Sequence, residues 1–364
     1  MKKFFMLPVL AALAIGSVFA QEFTVSGELK TGFYWERKQQ GDNEVEETGY
    51  VHNNDDAGAN QGRFRLNMQL DKENVGMKVR FEQTLWTTST PGWAYSFAYG
   101  YFLDNQLKIS GGKLGDSPWA AGGPERWDEL DTKIGIRTEL MPQFIPGLNI
   151  GFVLNDWDQG LNISTTNKTI DELLKETVLG ASYENDYFGV RVAFRGDSIL
   201  DNDANRQDDG SKLLYRVEER ALQKVLEGFQ IWANGYYDGI QSEKGLVYYN
   251  WLYFQYAPEV FTTQIRVGLD AAEANRQVLH IRPSFYYNLF DKLVTAGLAF
   301  SYRQDFGSKY SEGSPYQQLW IEPQIKLNLA NTYVALVYRY SNEYTSLDQI
   351  TETHWVNLRL VFTF

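Results

Sequence analysis

His354-Trp355-Val356-Asn357-Leu358-Arg359-Leu360-Val361-Phe362-Thr363-Phe364 alternates without a break. In an extended chain Val356, Leu358, Leu360, Phe362 and Phe364 share one face, and Trp355, Asn357, Arg359, Val361 and Thr363 share the other. One face is wholly apolar, and the other carries an arginine. About ten residues of period-two alternation is the length at which a tilted strand crosses a bilayer. Such a strand must not leave its edge unpaired in lipid, so it belongs to a closed sheet. The segment therefore predicts the closing strand of a barrel, paired with the first strand at residues 23–37.

Working back from that end, the same alternation recurs through the chain. Eighteen segments carry it: residues 23–37, 63–71, 75–86, 93–103, 107–114, 133–140, 148–155, 177–183, 188–195, 213–220, 229–237, 246–256, 261–270, 280–289, 293–302, 319–329, 331–340 and 354–364. The expected fold is all-β, a transmembrane antiparallel β-barrel of eighteen strands. Sixteen is the alternative, since Gly111-Gly112 weakens residues 107–114 and the alternation in 213–220 is poor. Residues 221–227 read as a short helical turn. Pro283 and Pro323 lie inside two strands on the apolar face, where each removes a ladder donor, and local bulges are expected there.

The connections alternate between short and long. Lys72-Glu73-Asn74, Asp104-Asn105-Gln106, Glu184-Asn185-Asp186, Ala257-Pro258-Glu259 and Asp291-Lys292 are short. Residues 38–62, 115–132, 157–176, 196–212, 303–317 and 341–353 are long. A membrane barrel keeps its long loops on one side and its tight turns on the other.

Residues 1–20 read as a cleaved signal peptide. Lys2 and Lys3 are followed by an apolar run and by the small-x-small site Val18-Phe19-Ala20. Residues 21–364 are then the barrel, and losing the two lysines moves the formal charge from −12 to −14. Past residue 20 no run of about eighteen apolar residues exists, so no spanning helix is expected. Aromatic residues nevertheless make up 15% of the chain. With no cysteine, an exported chain depends on a large hydrogen-bonded ladder rather than on disulfides.

The acidic balance argues against a nucleic-acid partner. Three scattered histidines argue against a histidine metal centre or catalytic site, and none sits in a Gly-x-Ser-x-Gly setting. Asp201-Asn202-Asp203-Ala204-Asn205 opens like a calcium loop. Arg206 stands where Gly is required and Lys212 where Glu is required, which excludes an EF-hand. No enzyme activity, cofactor or metal is expected.

With these features together, the chain resembles the Gram-negative porins. The cleaved signal, the acidic mature chain, the long-loop and short-turn rhythm and the terminal Phe364 carry the likeness. The resemblance implies an outer-membrane channel for passive diffusion of small hydrophilic solutes, usually trimeric, set among outer-membrane lipid and lipopolysaccharide. It also implies that residues 354–364 are read by the barrel-assembly machinery. It implies that the third extracellular loop, residues 115–132, folds into the lumen as a constriction carrying Asp116, Trp119, Glu125, Trp127, Asp128, Glu129 and Asp131.

The inward faces are rich in basic residues, and Arg63, Arg65, Lys78, Arg80, Arg137, Arg339 and Arg359 are the candidate basic wall. A basic wall facing an acidic loop would set a transverse field that favours small polar solutes. Glu28, Glu82, Glu139, Glu322 and Asp270 are the inward acids. Trp35, Tyr99, Tyr101, Tyr287, Tyr302, Tyr340, Phe362 and Phe364 are expected on the outside as interfacial girdles. Two other readings stand beside the channel. One is an adhesin or structural barrel with binding loops. The other is a sugar-selective porin with an aromatic path over Tyr34, Trp232, Tyr236, Tyr286, Trp320 and Trp355, with Trp119 and Trp127.

Overall fold

In the computed structural model, nineteen strands form one antiparallel sheet that closes on itself. The structure describes residues 22–50, 62–85, 92–115, 118–119, 134–156, 177–195, 211–240, 247–273, 276–306, 317–346 and 349–364. The signal segment lies outside them.

The strands are β1 (Glu22–Gln40), β2 (Asn43–Tyr50), β3 (Gly62–Lys72), β4 (Val75–Leu85), β5 (Gly92–Phe102), β6 (Leu107–Lys113) and β7 (Ile134–Leu140). Then come β8 (Leu148–Asp156), β9 (Val178–Glu184), β10 (Phe188–Arg195), β11 (Ser211–Glu219), β12 (Phe229–Ile240) and β13 (Val247–Tyr256). The last six are β14 (Phe261–Glu273), β15 (Arg276–Leu289), β16 (Val294–Asp305), β17 (Gln317–Leu329), β18 (Thr332–Ser346) and β19 (Gln349–Thr363).

All eighteen expected segments are barrel strands, namely β1 and β3 to β19. β6 and β11, on which the count turned, each pair on both sides. The sixteen-strand alternative falls. The expected helical turn is α1 (Ala221–Val225), its start tied by the Leu222 amide donating to Glu219 Oε1 at 2.6 Å.

β19 closes the barrel against β1, in register from Glu28↔Thr363 through Gly32↔Arg359 to Gln40↔Thr351. The backbones of Gly27 and Phe364 bond each other at 2.7 and 3.1 Å, and the Phe364 ring lies over Gly27, where any Cβ would collide with it. Closure leaves no open edge across the barrel, which lipid demands.

The alternation decides which side chains face lipid. Phe33, Leu179, Ile325 and Leu336 point outward and are each more than half exposed. Arg137, Val153, Val337 and Asn357 point inward and are buried. The tight turns β3–β4, β5–β6, β9–β10, β15–β16 and β17–β18 all fall at the rim that holds Glu22 and Phe364.

Four expectations are corrected. Residues 38–62 do not begin as a loop: β1 runs on to Gln40, turns at Gly41 (φ 59°) and pairs with β2 from Gln40↔Asn43 to Phe33↔Tyr50. The acidic Glu44, Glu46 and Glu47 hid this strand, because the alternation there is not one of apolar and polar residues. Residues 341–353 likewise extend β18 and β19, in register from Ser341↔Thr353 to Ser346↔Gln349. Together β18, β19, β1 and β2 make a four-stranded tongue at the far rim.

The two prolines make no bulge. Ile281↔Tyr302 and Ser284↔Ala299 keep one register across Pro283, as do Ile321↔Tyr340 and Gln324↔Val337 across Pro323. A missing N–H interrupts a ladder without adding a residue to it. Finally, Tyr99 and Tyr101 face inward. The residues on the other face of β5 are Ala94, Ser96, Ala98 and Gly100, so bulk on this strand lies inside, and Lys108 sits 4.9 Å from the Tyr99 ring.

Candidate functional site

Among the described residues, charge gathers along the inner wall of the barrel, which divides into two arcs. On β1, β3 and β4 the register sets Glu28 beside Arg65 and Arg65 beside Glu82, with Arg63 beside Lys30. The side chains close into a network. Arg63 Nη2 donates to Glu28 Oε1 at 2.7 Å, and its Nη1 lies 3.8 Å from Glu82 Oε1. Arg65 Nε donates to Glu82 Oε2 at 2.9 Å, and Lys30 lies 3.3 Å from Glu28.

Next along, Arg80 donates to Asn67 Oδ1 at 2.7 Å and stacks over Tyr95 at 4.7 Å. Lys78 pairs across from Gln69 and lines a polar cleft of about 90 Å³ with Thr24, Ser26, Asn67 and Tyr95. Arg63, Arg65, Lys78 and Arg80 are thus brought together on adjacent strands. Carboxylates stand among them, so this wall is a mosaic of both signs.

Arg339 and Arg359 continue the arc on β18 and β19. Arg339 is bound twice by Glu322, at 2.5 and 2.6 Å, and sits 4.6 Å from the Trp320 ring and 5.4 Å from that of Trp355. Arg359 stacks on Trp355 at 5.6 Å. Burying such a pair is tolerable only because hydrogen bonds and ring faces replace water around it.

The second arc carries an apolar patch among polar neighbours such as Ser182, Arg191, Arg195 and Lys212. Phe97 and Tyr99 of β5, Val153 of β8, Val178 of β9, Ala193 of β10, Leu214 of β11 and Tyr236 of β12 all point inward and form one buried cluster with Leu114 and Trp119. Trp119 is fully buried inside the barrel. Arg137 belongs here, apart from the other six candidate wall residues, and shares Glu139 with Lys108. It is 1% exposed, donates to Glu139 Oε1 at 3.0 Å and to the Gly115 carbonyl at 3.2 Å, and lies 5.6 Å from the Phe97 ring. Asp116, Glu125, Trp127, Asp128, Glu129 and Asp131 lie outside the described residues.

Beyond this arc, β12 and β13 turn Trp232, Tyr236, Tyr249, Trp251 and Tyr253 inward. Trp232 stacks on Tyr253 at 4.5 Å and Tyr236 on Tyr249 at 5.8 Å, with Trp251 next to Tyr249. Cations cap them: Arg216 over Trp232 at 4.7 Å and Arg282 over Trp251 at 5.5 Å. The sequence left the two faces of β13 undecided because both are aromatic, and only pairing with β12 and β14 separates them. Gly180 of β9 was also missed. Its signal was a glycine at an inward position of a regular strand.

Among the described residues no three His, Asp or Glu side chains group to hold a metal, and no helix is long and apolar enough to cross a membrane.

A closed antiparallel barrel of eighteen strands, apolar outside and charged inside, has the architecture of the porins. Pseudomonas putida OprB is similar over 99% of this chain and 97% of its own, at 9% identity and a TM-score of 0.56. A variant of the Rh. blastica porin is similar over 94% of this chain and all of its own, at 9% identity and a TM-score of 0.50. At such identities the likeness is one of fold. No family model matches the chain, and no curated protein matches it in sequence.

Proposed function

We propose that this protein is an outer-membrane porin, a water-filled channel through which small hydrophilic solutes diffuse passively. The observation that carries the reading is the inner wall: Arg63, Arg65, Lys78 and Arg80 with Glu28 and Glu82 line the inside of a closed sheet whose outside is apolar. A row of half-exposed charges on the inside of a membrane barrel has a physical purpose when water fills that interior.

In this reading residues 115–132 narrow the lumen. Support comes from the start of the segment, where Gly115 is bonded by Arg137 and Trp119 is packed inside the barrel. Residues 1–20 direct export, residues 354–364 present the closing strand to the assembly machinery, and the barrel trimerises within a lipopolysaccharide-bearing membrane. Purified protein added to a planar bilayer should give stepwise conductance. A membrane that stays sealed refutes the channel.

A second reading, a sugar-selective channel, draws on the inward aromatic rings of β12 and β13. Their faces are already taken by one another and by Arg216 and Arg282, which favours the general channel. Current block by added oligosaccharide would reverse that preference.

A further inference from the structure

Gly180 is the third residue of β9 and faces inward, in register with Gly151 of β8 on one side and Ala193 of β10 on the other. Three adjacent strands therefore present almost no side chain along one row. With neighbouring strands about 4.8 Å apart, this makes a notch roughly 10 Å wide in the wall. Val153 and Val178, both buried, bound it along the strands.

Trp119 fills the notch. A methyl group placed on Gly180 would lie inside the indole ring, so the ring occupies the volume that a side chain at position 180 would need. Four residues earlier the same segment is held a second time. The Gly115 carbonyl accepts from Arg137, and Gly115 itself packs so closely on Tyr95 that a Cβ there would sit 2.6 Å from the ring. Two fixed points on one short stretch define both its position and its direction.

We propose that Gly180 is a positioning residue of the channel: its missing side chain seats Trp119 and thereby fixes how far the segment beginning at Gly115 narrows the lumen. This rests on the reading in which residues 115–132 form the constriction. The volume at position 180, remote in sequence from that loop, then sets the conductance.

The test uses the full chain in planar bilayers. Gly180→Leu unseats Trp119 and should shift the single-channel step to larger values. Combining it with Trp119→Ala should give the same step as Trp119→Ala alone, because the ring that Leu displaces is already gone. A Gly180→Leu channel with an unchanged or smaller step overturns the proposal.

If that variant does not fold, a cysteine pair decides the question. The chain has no cysteine, so a Trp119→Cys, Gly180→Cys variant reports one bond only. Trp119 Cγ lies 2.5 Å from the Cβ position of residue 180, which puts the two Cβ atoms within about 4 Å, inside disulfide range. The oxidised form should conduct less than the reduced form. Failure to cross-link, or equal conductance in both forms, refutes the seat. A wild-type protein that conducts nothing defeats the channel reading alone, since cross-linking still tests whether Trp119 sits on Gly180.

Discussion

On β1, β3 and β4 the inward positions include Glu28, Lys30, Arg63, Arg65, Arg80 and Glu82, none of them fully buried. On β8 to β11 the inward positions include an apolar patch, Val153, Val178, Ala193 and Leu214, none more than 4% exposed, set among Ser182, Arg191, Arg195, Lys212 and Arg216 on the same faces. Both arcs belong to one sheet and obey one alternation, yet the first is built like a wetted surface and a patch of the second like a protein core. The difference is what each arc faces. A charged arc is stable where water solvates it, and an apolar arc where something packs on it, which Trp119 does. Inwardness in a barrel is thus a geometric property; polarity follows from whether the space beyond is filled.

The contrast can be broken by substitution. Arg339→Ala should have the largest effect, about 3–5 kcal/mol, because it leaves Glu322 buried without its partner; equilibrium unfolding in detergent micelles measures it. Glu322→Leu combined with Arg339→Met should recover most of that loss.

Leu214→Ala should cost about 2–5 kcal/mol if the apolar arc is packed as a core is. A loss below that range would mean the cluster is loose. Arg63→Ala should cost only about 1 kcal/mol, since its pairs are partly wetted. Its larger consequence is electrical: with Glu28 and Glu82 less compensated, the reversal potential in a salt gradient should move toward cation preference. An unmoved reversal potential would remove this arc from the conducting path.

The smallest effect lies at the turn rim, where Lys224 Nζ sits 2.8 Å from Asp186 and its hydrogen bond and charge hold that exposed carboxyl below the usual value. A depressed carboxylate stabilises the fold above its unfolded pKa and loses that contribution as pH falls through the folded pKa. Asp186→Asn should therefore lower stability slightly at pH 7, where the paired carboxylate contributes, and lessen the acid loss below about pH 4, so that the two proteins converge in acid.

The fold was legible because a barrel strand states its own orientation: each apolar–polar alternation marks a crossing, and closure follows from the absence of edges. Legibility failed where alternation stops being hydrophobic. β2 was lost among glutamates that water solvates on both faces, and Tyr99 was placed outside because bulk on β5 was equated with lipid.

That Arg63, Arg65, Lys78 and Arg80 share the inward face was readable from spacing, but their pairing was not. Whether Arg63 meets Glu28 depends on the stagger between β1 and β3, which no local pattern encodes. Gly180 was the hardest residue to foresee, because its meaning resides in a tryptophan sixty-one positions away.

The closing seam also has a kinetic consequence. Glu28 and Thr363 meet only after almost the entire chain lies between them, so β1 with β19 is the most non-local pairing in the molecule. Its entropic handicap grows only logarithmically with that separation, but every other hairpin can zip first. Until then an unfinished barrel carries two raw edges. The seam is also among the longest ladders, running thirteen residues, or about 40 Å, from Glu28 to Gln40 into the tongue. Once formed it should be slow to unzip, so the join made latest would be the one that keeps the finished barrel from opening.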